Sequence, residues 1–511
     1  MRYRIYRHLR GVAAAETSAG PPPKRPEMTW KDHLVMLLHI GAEIEHSLMV
    51  QYLYAAYSLG GEQVPRRHRH KVLRWQTSIL AVAKEEMGHF LTVQNILTLV
   101  GAPINLNRED LPWDVPFYPF PFRLEPLTLD SLACYVYAEM PAEKELVAAH
   151  GKRRPANKLL KRYKRFEEKD RRRITQRARR RTILSPHRVG ELYDEIIKLV
   201  EDRGRIPDSI FQEHTFATQA STDDWGRGYQ PDPRLVDAGG SLKQPGRKAV
   251  ASSPPAHVII GRVANRKQAV KALKAISMQG EAPVFANKDT DDLSHFDRFL
   301  EIYQEFDDIR HDGWRPTRHV PTNPTTLNDL PVRHRERRKS AKQSRELVDR
   351  DQLISAEQSR EWASLFNLRY RLLLKYLGHT FRLARITRAD TPNLRAMVMH
   401  RVFGEMYNLK TIAGILTRLP LSDDAAGADA PRAGPPFEMP YTLYLPTTEA
   451  DIWLLYHDLL GSSQEICEAL LGYPGIEYRD YLRSLLDLDD KARKWVKQVL
   501  AGLAPTERYF E

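Results

Sequence analysis

The stretch at residues 81–103, AVAKEEMGHFLTVQNILTLVGAP, sets charged residues and a histidine into an otherwise apolar run of helical length. In a helix, positions i, i+3, i+4 and i+7 share one stripe. The stripe through Glu86 holds Ile79, Val82, Ala83, His89, Phe90, Val93 and Leu97. A carboxylate buried there without a partner is costly, so Glu86 demands a counter-charge or a bound cation. Its neighbour Glu85 shares a stripe with Ser78 and Gly88 and is expected nearer solvent.

Glu86 and His89 are three residues apart, which lets one carboxylate and one imidazole converge on a single ion, as in carboxylate-bridged metal bundles. Chance produces this spacing often, so the rest of the chain has to supply partners. An earlier helical run places Glu45 on a face with Leu38, Ala42, Leu48, Met49, Tyr52 and Ala56. Glu43 and His46 also have the Glu-x-x-His spacing, but on a more mixed face with His39, Ser47 and Val50, and rank second. A third run places Glu139 one turn beyond Leu132, Tyr135 and Val136. Three helices that each turn a carboxylate from a mainly apolar stripe point to a metal centre. Carboxylate and imidazole donors suit Fe(II) or Mn(II) better than soft metals.

Helical periodicity governs the remainder. One helix is expected over 29–59, capped by Thr29 and stopped at Gly60-Gly61; a second over 67–100 is closed by Gly101 and Pro103. A third is expected over 128–149, with Pro141 as a kink or restart. The intervening LPWDVPFYPFPF (111–122) could line an aromatic pocket or simply strap the bundle. Further helices follow at 185–204, 265–283 and 294–308, with an irregular connection over 221–257. After a polar linker at 311–350 come four more, in 356–386, 393–419, 447–472 and 478–503. The expected domains are a basic tail (1–27), a metal-binding bundle (28–310), the linker and a C-terminal helical domain (351–511).

The net charge of +13 is local: residues 151–181 hold 16 Lys/Arg against three acids, and the remainder is balanced. Such a block reads as a solvated insert, with an acidic or nucleic-acid partner as the sharper alternative. Its aromatic residues are Tyr163 and Phe166, too few for a single-strand stacking platform. Two cysteines cannot build a disulfide framework, so a reducing, cytoplasmic compartment is expected. No apolar run reaches the roughly 18–20 residues that span a bilayer.

The segments AEIEHSLMVQYLYAAYSL, AKEEMGHFLTVQNILTLVGAP, YAEMP, GELYDEI, SMQGEAP and HFDRFLEI occur in an order that resembles one ferritin-like family. That family is of the iminophenyl-pyruvate dimer synthase type and is related to the ferritin-like part of a violacein-pathway enzyme. The likeness covers residues 28–310. The 361–505 block, with AGPPFEMP before its last two helices, also looks like the C-terminal extension of longer members.

The resemblance implies an all-α, ferritin-like four-helix bundle with an iron centre, di-iron or mononuclear, with manganese as the alternative. By position it implies Glu45, Glu86, His89 and Glu139 as ligands, with Tyr52 as a catalytic group near the metal. A fourth-helix Glu-x-x-His is also implied, and here the chain departs: three residues after Glu281 stands Val284. Glu281 and His295 are the candidates for that half of the site, with Glu191 in reserve on what reads as an ion-paired face. The C-terminal block carries His379, His400, Glu405, His457 and Glu465 without that spacing, and is expected to pack or to shape a pocket.

The implied activity is a metal-dependent oxidoreductase acting on a small, aromatic amino-acid-derived molecule, such as oxidative coupling in secondary metabolism. The alternatives are a non-catalytic iron-binding protein, or a scaffold or nucleic-acid-associated protein that uses the basic insert. A small-molecule substrate is expected, with no membrane partner, and a homo-oligomer is open.

Overall fold

In a computed structural model of the chain, the described residues are 24–108, 119–141 (except 121), 168–181, 188–211, 215–221, 224, 230–231, 257–280 (except 259), 293–309, 312–326, 352–384 and 394–502 (except 426, 428–429 and 440–442). Among them the architecture is all-α, with a two-residue parallel pairing of Gln230–Pro231 with His257–Val258 as the named strands. The chain forms two compact units, residues 1–316 and 317–511.

The first unit is built on two long helices, α1 (Trp30–Ser58) and α2 (Arg69–Leu99). Thr29 opens α1 with a capping box: its hydroxyl accepts from the Asp32 amide while the Asp32 carboxylate accepts from the Thr29 amide. Gly60 and Gly61, at φ 96° and 111°, take the left-handed turn that ends it. The short connection makes α1 and α2 antiparallel neighbours. On α2, Ile79, Val82, Phe90, Val93 and Leu97 are all fully buried. Each such side chain stabilises the fold by roughly 1.5–3 kcal/mol.

The other two positions of the bundle are each filled in pieces. One holds α3 (Leu129–Ala138) and α5 (Val189–Glu201); the other holds α6 (Arg266–Gly280) and α7 (His295–Ile309). α3 packs on α7, α5 packs on α6 and α1, and α2 touches both α6 and α7. Arg188, at the start of α5, donates to the carbonyl of Pro141 at 3.0 Å and so ties the two pieces together. α3 is shorter than expected: it stops at Ala138, and Glu139 is its C-cap, at φ −90° and ψ 5°. Residues 142–149 of the expected helix lie outside the described residues.

The basic insert is not simply solvated. Its end forms α4 (Glu168–Arg179), which packs on α3 and buries Ile174 and Ala178, spaced i, i+4. Arg177 pairs with Asp130, Arg181 with Glu125, and Arg173 with Asp307 at 3.3 Å. Part of the charge read as solvated is here neutralised by acids of the bundle. Of the aromatic loop, Phe120 and Phe122 are described, and both are buried, Phe120 beside Tyr135 and Phe122 under the Arg108 guanidinium. These two act as strap anchors.

The second unit contains α8 (Glu357–Thr380), α9 (Leu394–Leu416), α10 (Glu449–Leu471) and α11 (Arg479–Gly502). α8 packs on α9 and on α10, and α10 packs on α11. The AGPPFEMP segment owes its place to Glu438. Its carboxylate accepts from Thr325 Oγ1, the Thr326 amide and hydroxyl, and Asn367 Nδ2, at 2.5–3.0 Å. Hydrogen bonds to a charged acceptor contribute more than neutral ones. Glu438→Ala is therefore expected to destabilise this unit by about 2 kcal/mol, read from urea unfolding of the full chain; an unchanged midpoint would show the segment is held otherwise.

Candidate metal centre

Helices α1, α2, α3 and α7 position the site. α1 brings Glu45 and Tyr52, and α2 brings Glu85, Glu86 and His89; Glu139 comes from the end of α3, and His295 is the first residue of α7. All seven are buried. His89 Nδ1 lies 2.9 Å from Glu86 Oε2 and 3.4 Å from Glu45 Oε2. His295 Nδ1 lies 3.0 Å from Glu86 Oε1 and 3.8 Å from Glu139 Oε2. The two imidazoles stack at 5.4 Å. Donor atoms of Glu86, His89 and His295 all fall within 4.8 Å of one another.

Further groups fix these donors from outside. Tyr52 donates to Glu139 Oε1 at 2.6 Å, and Tyr193 of α5 donates to Glu45 Oε1. His89 Nε2 meets Gln279 Oε1 at 2.9 Å. His295 Nε2 meets Glu85 Oε2 at 2.9 Å, and Arg298 donates to that same oxygen at 3.0 Å. Gly280 passes close by, and a Cβ there would stand 3.1 Å from Glu139 Oε2, a tight contact. The cavity at the centre, lined by Glu45, Glu86, His89, Glu139, Tyr193 and their neighbours, is about 10 Å³, about one water in size.

Too many carboxylates share this space. Burial, and then the charge of Glu86, push Glu45 up to about 8 and Glu139 up to about 7. Burial opposes the charge on Glu86, but His295 and His89 outweigh it and hold its carboxyl well below the usual range. Burial likewise works against the protonated histidines, yet the surrounding carboxylates push His295 up to about 9 and His89 well above its ordinary value. Protons thus stand where a cation would neutralise the cluster. Glu86 Oε1 and His295 Nδ1 face each other outside hydrogen-bond geometry, so each is a buried polar atom left unsatisfied among the described residues. A donor set of this kind, with two orphaned atoms aimed inward, fits a divalent cation of the Fe(II) or Mn(II) type.

Of the residues picked from sequence, Glu45, Glu86, His89, Glu139, His295 and Tyr52 come together. Glu281 lies outside the described residues. Glu43 and His46 do not join them: Glu43 accepts from Asn105 at 2.9 Å, and His46 Nδ1 lies 3.0 Å from the Leu106 carbonyl. Glu191 is ion-paired with Arg188. In the second unit His400 and Glu465 are exposed, Glu405 pairs with Arg369, His379 with Glu449, and His457 lies beside Asp458 and Arg493. Glu85 overturns its expectation: it is fully buried, because its side of α2 faces α7 and not solvent. Tyr193, Gln279 and Arg298 were missed; the apolar face of GELYDEI that carries Tyr193 was the available signal.

A helical bundle with a buried carboxylate–imidazole core defines the class. Residues 38–304, more than half of the chain, match the ferritin-like family, and the chain belongs to that family. It is similar to the dichlorochromopyrrolate synthase of Lentzea aerocolonigenes, 25% identical over 84% of this chain and 37% of that protein. It is also similar to the 2-imino-3-(indol-3-yl)propanoate dimerase of Chromobacterium violaceum, 30% identical over 26% of this chain and 15% of that protein. The chain thus spans well under half the length of either relative. No solved structure matches it. Among the described residues no helix is long and apolar enough to cross a membrane.

Proposed function

We propose that this chain is an iron-dependent enzyme that couples small aromatic amino-acid-derived molecules in secondary metabolism. The observation that carries this reading is the buried cluster of Glu86, His89 and His295, whose donor atoms lie within 4.8 Å of one another, with Glu45 beside His89 and Glu139 beside His295. The name of the Chromobacterium violaceum relative supplies the substrate class, an indole-bearing 2-imino acid. Joining two such molecules by one C–C bond removes a hydrogen from each, which is two electrons and two protons. With dioxygen as acceptor the balance is 2 R–H + O₂ → R–R + H₂O₂. A bound iron would supply the electron transfers to dioxygen.

The chain's own residues do the rest. Glu45, Glu86, His89, Glu139 and His295 would hold the ion. Tyr52 and Tyr193, whose hydroxyls burial keeps protonated, steady Glu139 and Glu45 as donors. Tyr52 enters as the group that sets Glu139. The fully buried Leu48 and Ile276 keep bulk water from the carboxylates.

The nucleic-acid reading has weaker support, since Arg173 and Arg177 of α4, and Arg181 just after it, pair with acids of the bundle. The test is anaerobic Fe(II) loading followed by elemental analysis, then oxygen uptake with an indole imino acid. Near two irons per chain with substrate-dependent uptake supports a di-iron enzyme, and about one iron a mononuclear one. No retained iron would sink the reading.

A further inference from the structure

We propose that Glu85 and Gln279 are the positioning residues of the centre, and that their unequal charge makes its two histidines unequal ligands. This rests on the metal reading above. Both imidazoles are gripped at Nε2, which leaves Nδ1 as the inward atom of each. The grips differ in chemistry. His295 meets a carboxylate, Glu85, whose charge is kept in place by the buried Arg298 guanidinium at 3.0 Å. His89 meets a neutral amide oxygen, Gln279, at the same 2.9 Å. An anionic acceptor makes the opposite ring nitrogen a stronger donor than a neutral one does. His295 is therefore the stronger metal ligand of the pair and His89 the weaker.

Glu85, Arg298 and His295 could instead form an ion pair that only packs α2 on α7. The two roles separate on metal binding. Glu85→Leu alone would strand Arg298 in the interior, so the informative variant is Glu85→Leu/Arg298→Met, which removes both charges together. Glu85→Gln keeps an acceptor for Nε2 without the charge.

The experiment is anaerobic titration of the full chain with Co(II), following its visible bands, with thermal melting to confirm that each variant is folded. Wild type is expected to bind Co(II). The Glu85→Leu/Arg298→Met variant should bind about 10–100-fold more weakly, and Glu85→Gln, which keeps the acceptor but not the charge, should recover only the smaller part of that loss. Gln279→Leu should cost less than the double variant, and Gln279→Glu should tighten binding. Wild-type affinity in the double variant would overturn the proposal while leaving the metal centre standing. So would a larger loss from Gln279→Leu than from the double variant. Absence of Co(II) binding in wild type would sink the proposal together with the metal reading itself.

Discussion

The double substitution Glu86→Ala/His89→Ala is expected to abolish iron retention, lowering affinity by at least about 100-fold, more than loss of an outer partner causes. Glu86 is the hub of the cluster. One of its oxygens faces His89 at 2.9 Å and the other faces His295 at 3.0 Å. Burial first, and then its charge, push the carboxyls of Glu45 and Glu139 up. Without it the remaining carboxylates have no common neighbour, and His295 loses the oxygen opposite Nδ1. Elemental analysis after anaerobic loading reads the outcome, with circular dichroism to show that the helices persist. A folded variant that keeps its iron would move the binding site away from α2 altogether.

Much of this centre was legible because burial of a carboxylate is a contradiction that sequence periodicity exposes. Glu45, Glu86 and Glu139 each stand on a stripe that is otherwise apolar. The stripe argument fails where a helix is buried on every side. α2 runs through the middle of the bundle, so the face of Glu85 is as enclosed as that of Glu86, and small or polar neighbours such as Ser78 and Gly88 do not mean solvent. Gln279 and Arg298 are recognisable only through what they touch, nearly two hundred residues and more away along the chain. The basic insert misled in a related way. Its charge dominates composition, while Ile174 and Ala178, two small signals at helical spacing, decide that α4 packs. The fourth-helix Glu-x-x-His that the resemblance implied is not in the sequence, and among the described residues the second imidazole comes from His295, the first residue of α7.

Arg369→Met is expected to destabilise the second unit by about 3–5 kcal/mol, the range for stripping the partner from buried charges. All four of its helices meet at this guanidinium. Arg369 of α8 donates to Glu405 of α9 at 3.1 Å, to Ser463 of α10 at 2.6 Å and to Asp489 of α11. Glu405 and Asp489 are 4% and 2% exposed, so without Arg369 two carboxylates would lie in the interior with no cation between them. Burial already pushes the Glu405 carboxyl above its ordinary value even with Arg369 opposing it. Removing Arg369 raises it further. A carboxyl whose folded value exceeds its unfolded one favours folding at low pH and loses that contribution as pH rises. The deficit of Arg369→Met should thus be smaller at pH 5 than at pH 8. In thermal melts of the full chain the loss corresponds to roughly 10 °C at pH 8 for a unit of this size. A charge-free triple variant, Arg369→Met/Glu405→Gln/Asp489→Asn, should recover part of it and flatten the pH dependence. An Arg369→Met protein that melts with wild type at both pH values would mean that apolar packing, not this cluster, holds the four helices together.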